Sequence, residues 1–139
     1  MKIQTHIATN SHYDWLVEHE LHVSAAWVAR CISLGEYRVA TIGAELVGYL
    51  RHGWFWGTIP YMEMIAVVDE RRRQGVGTAL LVAWEAAMAA AGARVLMTSS
   101  VADELEPQAW HRRNGFHESG RLTFGAMQAT PEVFLVKEI

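Results

Sequence analysis

The sequence has few of the residues that stabilise small proteins through disulfide bonds or bound metal ions. Its 139 residues include one cysteine, Cys31, and three prolines. A lone cysteine excludes an internal disulfide and a cysteine-based zinc site. We expect Cys31 to be a buried structural thiol, with a nucleophilic role as the alternative. Because no repeat, low-complexity tract or proline-rich linker occurs, we predict a single domain over residues 1–139.

Long apolar runs and a net positive charge are also absent. No stretch of about 18 uncharged apolar residues occurs, and the segment MKIQTHIATN lacks the apolar core of a signal peptide. We therefore expect a cytoplasmic protein without a membrane partner. The net charge of −3 argues against a nucleic-acid partner. Five of the ten arginines nevertheless lie in two clusters, Arg71–Arg73 and Arg112–Arg113, which suggests a local anion site.

The seven histidines raise the question of a metal site, most clearly at His19 and His22. A helical zinc pair has its histidines four residues apart, whereas these two are three apart without a third ligand nearby. We therefore expect no metal. Together with Asp14, Glu18 and Glu20, this segment is interpreted as a solvated helix face. An attraction of these carboxylates for an ammonium group is the alternative.

Hydrophobic periodicity and turn residues predict the element order β-α-α-β-β-β-α-β-α-β-β. The two early helices are predicted to begin at Ser11 and Ser24, and Gly43 to join a hairpin. A buried strand, YMEMIAVV at residues 61–68, precedes an amphipathic helix from Gly75 to Ala91. This order predicts an α+β domain (mixed α/β, three layers) with a sheet between helices.

Arginines run into glycines at the start of that helix, in ERRRQGVGTALL at residues 70–81. The first N–H groups of a helix lack internal partners, and the macrodipole adds partial positive charge there. Gly75 and Gly77 remove side chains from the backbone, while Arg72 and Arg73 can add charge-assisted hydrogen bonds. We therefore predict a phosphate ligand. An arginine-rich turn that only solvates the helix start is the alternative.

Two common phosphate-binding motifs do not fit this segment. A P-loop needs a lysine directly after its second glycine, whereas Gly77 is followed by Thr78. A dinucleotide-binding motif needs a third glycine where Leu80 stands, and an acidic residue at the end of the next strand, where the chain has Thr98. Both classes are therefore excluded.

The pattern Arg-x-x-Gly-x-Gly at Arg72–Gly77, between a strand and a helix, resembles the pyrophosphate loop of the GNAT superfamily of N-acetyltransferases. AWHRRNGF at residues 109–116 resembles the second motif of that superfamily, and EVFLVKE its closing strand. WFWGTIPYMEMIAV and LMTSSVADE also resemble one uncharacterised bacterial branch. The resemblance implies a central, mostly antiparallel sheet of about six to seven strands and about four flanking helices. It also implies that the fourth and fifth strands splay apart.

The resemblance implies acetyl-CoA as the cosubstrate. The loop would hold its pyrophosphate, and its pantetheine arm would lie along the preceding strand. The backbone N–H of Val67 would stabilise the developing oxyanion. The cofactor-binding residues implied in this way are Ile65, Ala66, Val67, Arg72, Arg73, Gln74, Gly75, Val76, Gly77 and Thr78.

Acetyl transfer to an amine needs a base and is helped by an acid. Glu63 is the candidate base, because strand alternation gives it the same face as Ile65 and Val67. The alternative is a glutamate whose carboxylate reaches water. By the resemblance, His111 takes the position where the second motif usually has a tyrosine. It is the candidate acid or hydrogen-bond donor to the sulfur, with a non-catalytic helix histidine as the alternative.

The expected function is transfer of the acetyl group of acetyl-CoA to a primary amine of a small molecule or peptide, by direct attack in a ternary complex. A catalytically silent acyl-CoA-binding sensor or scaffold is the alternative. The aromatic residues of HGWFWG at residues 52–57 are predicted to lie between two strands. They would line the acceptor side, plug the sheet edge or form a homodimer contact. The sequence leaves the acceptor and the oligomeric state open.

Overall fold

The computed structural model describes the whole chain, Met1–Ile139. The strands are β1 (Ile3–Ile7), β2 (Tyr37–Ile42), β3 (Glu45–Phe55), β4 (Ile59–Val67), β5 (Val95–Val101), β6 (His117–Leu122) and β7 (Glu132–Glu138). The α-helices are α1 (Tyr13–His19), α2 (Ala25–Ser33), α3 (Val76–Ala90) and α4 (Leu105–Arg113). The predicted order of elements is therefore confirmed. None of these helices combines the length and apolar character needed to cross a bilayer.

The seven strands form one sheet in the order β1-β2-β3-β4-β5-β7-β6. The pairs β1–β2, β2–β3, β5–β7 and β6–β7 are antiparallel, whereas β4 and β5 are parallel. The parallel ladder contains two residue pairs, Tyr61 with Met97 and Met62 with Thr98. The predicted α+β fold class is confirmed, and so is the predicted splay between the fourth and fifth strands.

The starts of the two early helices follow from local hydrogen bonding. Ser24 caps α2 as predicted, since its hydroxyl accepts a backbone N–H at 3.1 Å. The prediction that Ser11 starts the first helix is wrong. Thr9 caps a 3₁₀ turn, Asn10–His12, which leads into α1, and the Thr9 N–H donates to the ring of His12. The histidine ring thus takes the role that glutamate or glutamine usually has in a capping box.

The chain divides into two compact units. The first unit contains Met1–Gly53 and Met64–Ala87, and the second contains Trp54–Glu63 and Met88–Ile139. The single domain expected from the sequence stays a prediction.

The core of the first unit lies where α1 and α2 pack on β2 and β3. Its buried cluster consists of Ala8, Leu16, Val28, Cys31, Ile32, Tyr37, Val39 and Tyr49. Cys31 is 1% exposed, so the expected buried thiol is confirmed. In the second unit, the central pair β5–β7 contributes the buried side chains Leu96, Val133 and Leu135.

Gly48, on β3, is a point of close approach within the first unit. A Cβ atom there would lie 2.9 Å from the Ala66 carbonyl oxygen and 3.1 Å from Val76 Cγ1. Because a backbone carbonyl has little room to move, we expect Gly48→Ala to lower the free energy of unfolding by about 1–3 kcal/mol. Urea denaturation measures the change. The control is Gly120→Ala, where the added Cβ meets nothing within 4 Å; equal stabilities of the two variants would contradict the prediction.

Candidate functional site

The arginine-rich loop lies in the first unit, between β4 and α3. A 3₁₀ turn, Asp69–Arg71, follows the strand, and Arg73 and Gly75 then adopt positive φ angles of 62° and 90°. Glycine tolerates this conformation, whereas in arginine the Cβ atom crowds the backbone. Backbone strain of this kind is concentrated at functional loops.

The backbone N–H groups of this loop point to anion binding. No N–H group from Arg73 to Thr78 donates to a protein acceptor, and the first bond of the helix runs from the Ala79 N–H to the Gly75 carbonyl at 3.0 Å. The helix α3 then continues for 15 residues, so its macrodipole adds partial positive charge at this end. Backbone donors at a helix start are a favourable site for phosphate oxygens.

The arginine side chains of the loop have different surroundings. Arg71 Nη2 lies 3.0 Å from Glu45 Oε2, and Arg72 Nε lies 3.3 Å from Asp69 Oδ1. Arg73 is exposed. The Glu45 carboxylate therefore links the loop to the start of β3, whereas the exposed Asp69–Arg72 pair is a contact within the loop.

A cavity of about 310 Å³ lies beside the end of β4 in the first unit. Its lining combines Trp15 and His19 of α1 and Tyr49 of β3 with residues 66–70, which end β4 and begin the loop. This volume lies at the lower end of the range of small-molecule sites, roughly 300–1,000 Å³. The cavity is therefore large enough for a small molecule or for the reacting end of a larger one.

The imidazole of His19 is held within this lining. Its Nδ1 atom lies 2.8 Å from the Trp15 carbonyl oxygen, and its ring stacks on the Trp15 ring at 4.0 Å. The interpretation of His19 as part of a solvated helix face is wrong, because the ring is half-buried against an aromatic residue one turn earlier. His22 is exposed, as that interpretation expects, but it lies beyond the end of α1 and not on a helix face.

The prediction of a solvated Glu20 is also wrong, because its side chain is 0% exposed. Its carboxylate accepts hydrogen bonds from the hydroxyls of Tyr37 and Tyr49 and from Arg51 Nε, the last at 2.6 Å. Burial, together with the hydrogen bond to Glu20, raises the pKa of the Tyr37 hydroxyl well above its usual value. Helical spacing contained the signal that was missed, because Glu20 follows the fully buried Leu16 by four residues.

The two predicted catalytic side chains lie in the second unit. Glu63, on β4, is half-buried. His111, on α4, is buried with its ring against the edges of Trp110 and Phe116, and its Nδ1 atom has no hydrogen-bond partner. Burial lowers the pKa of His111 to about 4, so the ring is neutral at physiological pH. The roles of Glu63 and His111 stay predictions.

The aromatic segment is arranged differently from the prediction. Trp54 and Phe55 lie on β3, which continues to Phe55, so only Trp56 belongs to the turn before β4. Trp56 is 80% exposed, has a φ of 58° and stacks on Phe55 at 4.5 Å. The strand is longer than predicted because aromatic residues favour extended backbone, and Gly57, with a positive φ, then makes the turn.

Comparison with known proteins adds a family assignment. Residues 33–118, more than half of the chain, match the acetyltransferase (GNAT) domain family. Over 95 residues the chain is 34% identical to the aminoglycoside N(6')-acetyltransferase type 1 of Stenotrophomonas maltophilia. The aligned region spans 63% of this chain and 62% of that protein.

Solved structures share the fold over nearly the whole chain. Ard1 from Thermoplasma volcanium superposes with a TM-score of 0.87 at 15% identity, over 100% of this chain and 99% of that one. A GNAT family acetyltransferase from Elizabethkingia anophelis with acetyl-CoA bound gives a TM-score of 0.76 at 18% identity, over 99% and 98% of the two chains. With the matched domain and the fold in agreement, the chain belongs to the GNAT family of acetyltransferases.

Proposed function

We propose that the chain is an acetyl-CoA-dependent N-acetyltransferase that acetylates a primary amine of a small molecule or peptide. The observation that carries this proposal is the row of backbone N–H groups from Arg73 to Thr78, which have no protein acceptor at the start of α3. A pyrophosphate fits such a row because it presents several acceptor oxygens close together. Family membership and the acetyl-CoA in a structural relative support the choice of cosubstrate. The proposal includes the cytoplasmic location expected from the sequence.

When bound, acetyl-CoA supplies an activated thioester. The loop N–H groups hold its phosphates, and Ile65–Val67, at the end of β4, lie alongside the pantetheine arm. The backbone N–H of Val67 is the proposed donor to the developing oxyanion, a contact typically worth about 3 kcal/mol. The amine attacks directly in a ternary complex.

Acetyl transfer also requires a base for the acceptor ammonium and a donor to the departing sulfur. An alkyl ammonium has a pKa of about 10 and must lose a proton before it attacks. Glu63, on β4, is the candidate base that the family resemblance supplies. Because the buried ring of His111 is neutral, its proposed role is that of hydrogen-bond donor to the departing sulfur.

A charge change at Thr78, in the first turn of α3, tests the binding loop. Thr78 is exposed, and aspartate at this position favours the helix through the macrodipole while repelling a phosphate. Saturating acetyl-CoA at about 100 times Kd is expected to stabilise the wild type by about 2.7 kcal/mol. Thr78→Asp should keep its unliganded Tm and lose this stabilisation, as measured by thermal denaturation.

Thr123→Asp provides the matched control, because it makes the same charge change at an exposed position in the second unit. It should respond to acetyl-CoA like the wild type. A well-folded wild type whose Tm does not respond to acetyl-CoA would overturn the proposed cosubstrate.

Release of CoA in the presence of a panel of amines tests catalysis. An aminoglycoside is the first acceptor to try, given the activity named for the 34% identical relative, followed by benzylamine and a peptide with a free amino terminus. Turnover above the background of hydrolysis supports an enzyme. Binding of acetyl-CoA without turnover of any amine would favour the silent acyl-CoA-binding module.

A further inference from the structure

His19 is fixed in one tautomer by its contact with the helix backbone. A carbonyl oxygen only accepts hydrogen bonds, so the 2.8 Å contact with Trp15 requires that Nδ1 carries the hydrogen. In the neutral ring Nε2 therefore holds the lone pair. This nitrogen lies on the edge of the ring away from the backbone contact, and the ring lines the 310 Å³ cavity.

The ring is also held in position. It stacks on Trp15 with an angle of 21° between the planes, and Trp15 in turn meets Tyr49 edge to face at 6.1 Å. The residue after His19 is Glu20, whose buried carboxylate is held by Tyr49 and Arg51. The end of α1 is therefore anchored to β3, and a histidine fixed in this way can hold its free nitrogen at a constant place.

The rest of the cavity lining suits an incoming cation and a reacting carbonyl. Asp69 and Glu70 are acidic residues of the lining. Asp69 pairs with Arg72 at 3.3 Å, so Glu70 is the residue whose negative charge can attract an ammonium group, and Trp15 contributes an aromatic ring. Val67, the proposed oxyanion donor, is part of the same lining. We propose that His19, in place of Glu63, the base that the family resemblance implies, takes the proton from the acceptor ammonium in this cavity. This assignment depends on the proposed N-acetyltransferase activity.

The proton balance of the step is complete. The ammonium gives one proton to Nε2 of His19, which becomes an imidazolium and later releases it to solvent. The neutral amine nitrogen forms a bond with the thioester carbon, and the carbon–sulfur bond breaks. The nitrogen loses its second proton, which ends on the departing thiolate, so the products are the acetamide and CoA thiol.

Replacement of His19 tests the assignment. In His19→Gln the amide can still meet the Trp15 carbonyl but cannot act as a base, so kcat for the alkyl amine that the wild type acetylates fastest should fall about 100-fold. The KM for acetyl-CoA and the Tm shift with acetyl-CoA should stay unchanged. In His19→Ala, added imidazole should restore much of the lost rate. His22→Gln, an exposed histidine three residues later, is the matched control.

The outcomes separate this assignment from the proposed function. A wild type that acetylates no amine removes the proposed function itself. If the wild type is active and His19→Gln retains more than a third of its kcat, or if imidazole restores nothing to His19→Ala, the assignment of His19 is wrong. If Glu63→Gln, measured in parallel, loses most of its kcat while His19→Gln does not, the base is Glu63.

Discussion

Replacing Glu20 by glutamine is expected to lower the free energy of unfolding by about 3 kcal/mol. The carboxylate is 0% exposed and lies 2.6 Å from Nε of Arg51, whose side chain is 6% exposed. Removing one member of a buried ion pair leaves the other with the desolvation penalty and without that attraction. The hydroxyls of Tyr37 and Tyr49 also exchange an anionic acceptor for a neutral one.

The control for this effect is Glu18→Gln, because Glu18 is exposed on the same helix. Its effect should stay within about 0.5 kcal/mol. A double-mutant cycle with Arg51→Met, measured by urea denaturation, should give a coupling energy of more than about 1 kcal/mol between Glu20 and Arg51. If Glu20→Gln proves no less stable than Glu18→Gln, the buried pair contributes little and the prediction is wrong.

The fold was predictable because its local signals agree with one another. The strand at residues 61–68 and the helix beginning at Gly75 are long enough to show their periods clearly, and the observed bounds are Ile59–Val67 and Val76–Ala90. The errors lie at short segments. At Thr9 a histidine ring completes the cap, a partner that no standard capping motif contains. At Trp54 and Phe55 the strand continues through residues that resemble a loop only because of the glycines around them.

The binding loop could be predicted from the sequence, whereas the cavity around His19 could not. The loop from Arg72 to Thr78 is contiguous, so its glycines and the following helix are visible in one stretch of sequence. The cavity around His19 brings together α1, β3 and the end of β4. Contacts between distant segments leave no spacing pattern, so the place of His19 in the cavity could not be predicted. The burial of Glu20, in contrast, was indicated by its spacing of four residues from Leu16.

Lowering the pH from 7.5 to 5 is expected to lower the free energy of unfolding by about 2 kcal/mol for each of two buried histidines, His52 and His111. Burial, and then the nearby positive charge of Arg38, lowers the pKa of His52 from 6.5 to about 4. Burial alone lowers the pKa of His111 to about 4. In the unfolded chain both rings take up protons near pH 6.5. The contribution of the two neutral rings to the free energy of unfolding is therefore fully present above pH 6.5. It is lost as the pH falls towards 4, because the unfolded state binds more protons in this range.

Glutamine at both positions isolates the contribution of the two rings. His52→Gln and His111→Gln can each change stability at every pH, but the difference between pH 7.5 and pH 5 within one variant reports only on titration. Each single variant should lose about 2 kcal/mol less than the wild type over this range, and the double variant about 4 kcal/mol less. A small slope should persist in the double variant, since burial also lowers the pKa of His12. If urea denaturation gives the double variant the same pH dependence as the wild type, the two rings are not held neutral by the fold.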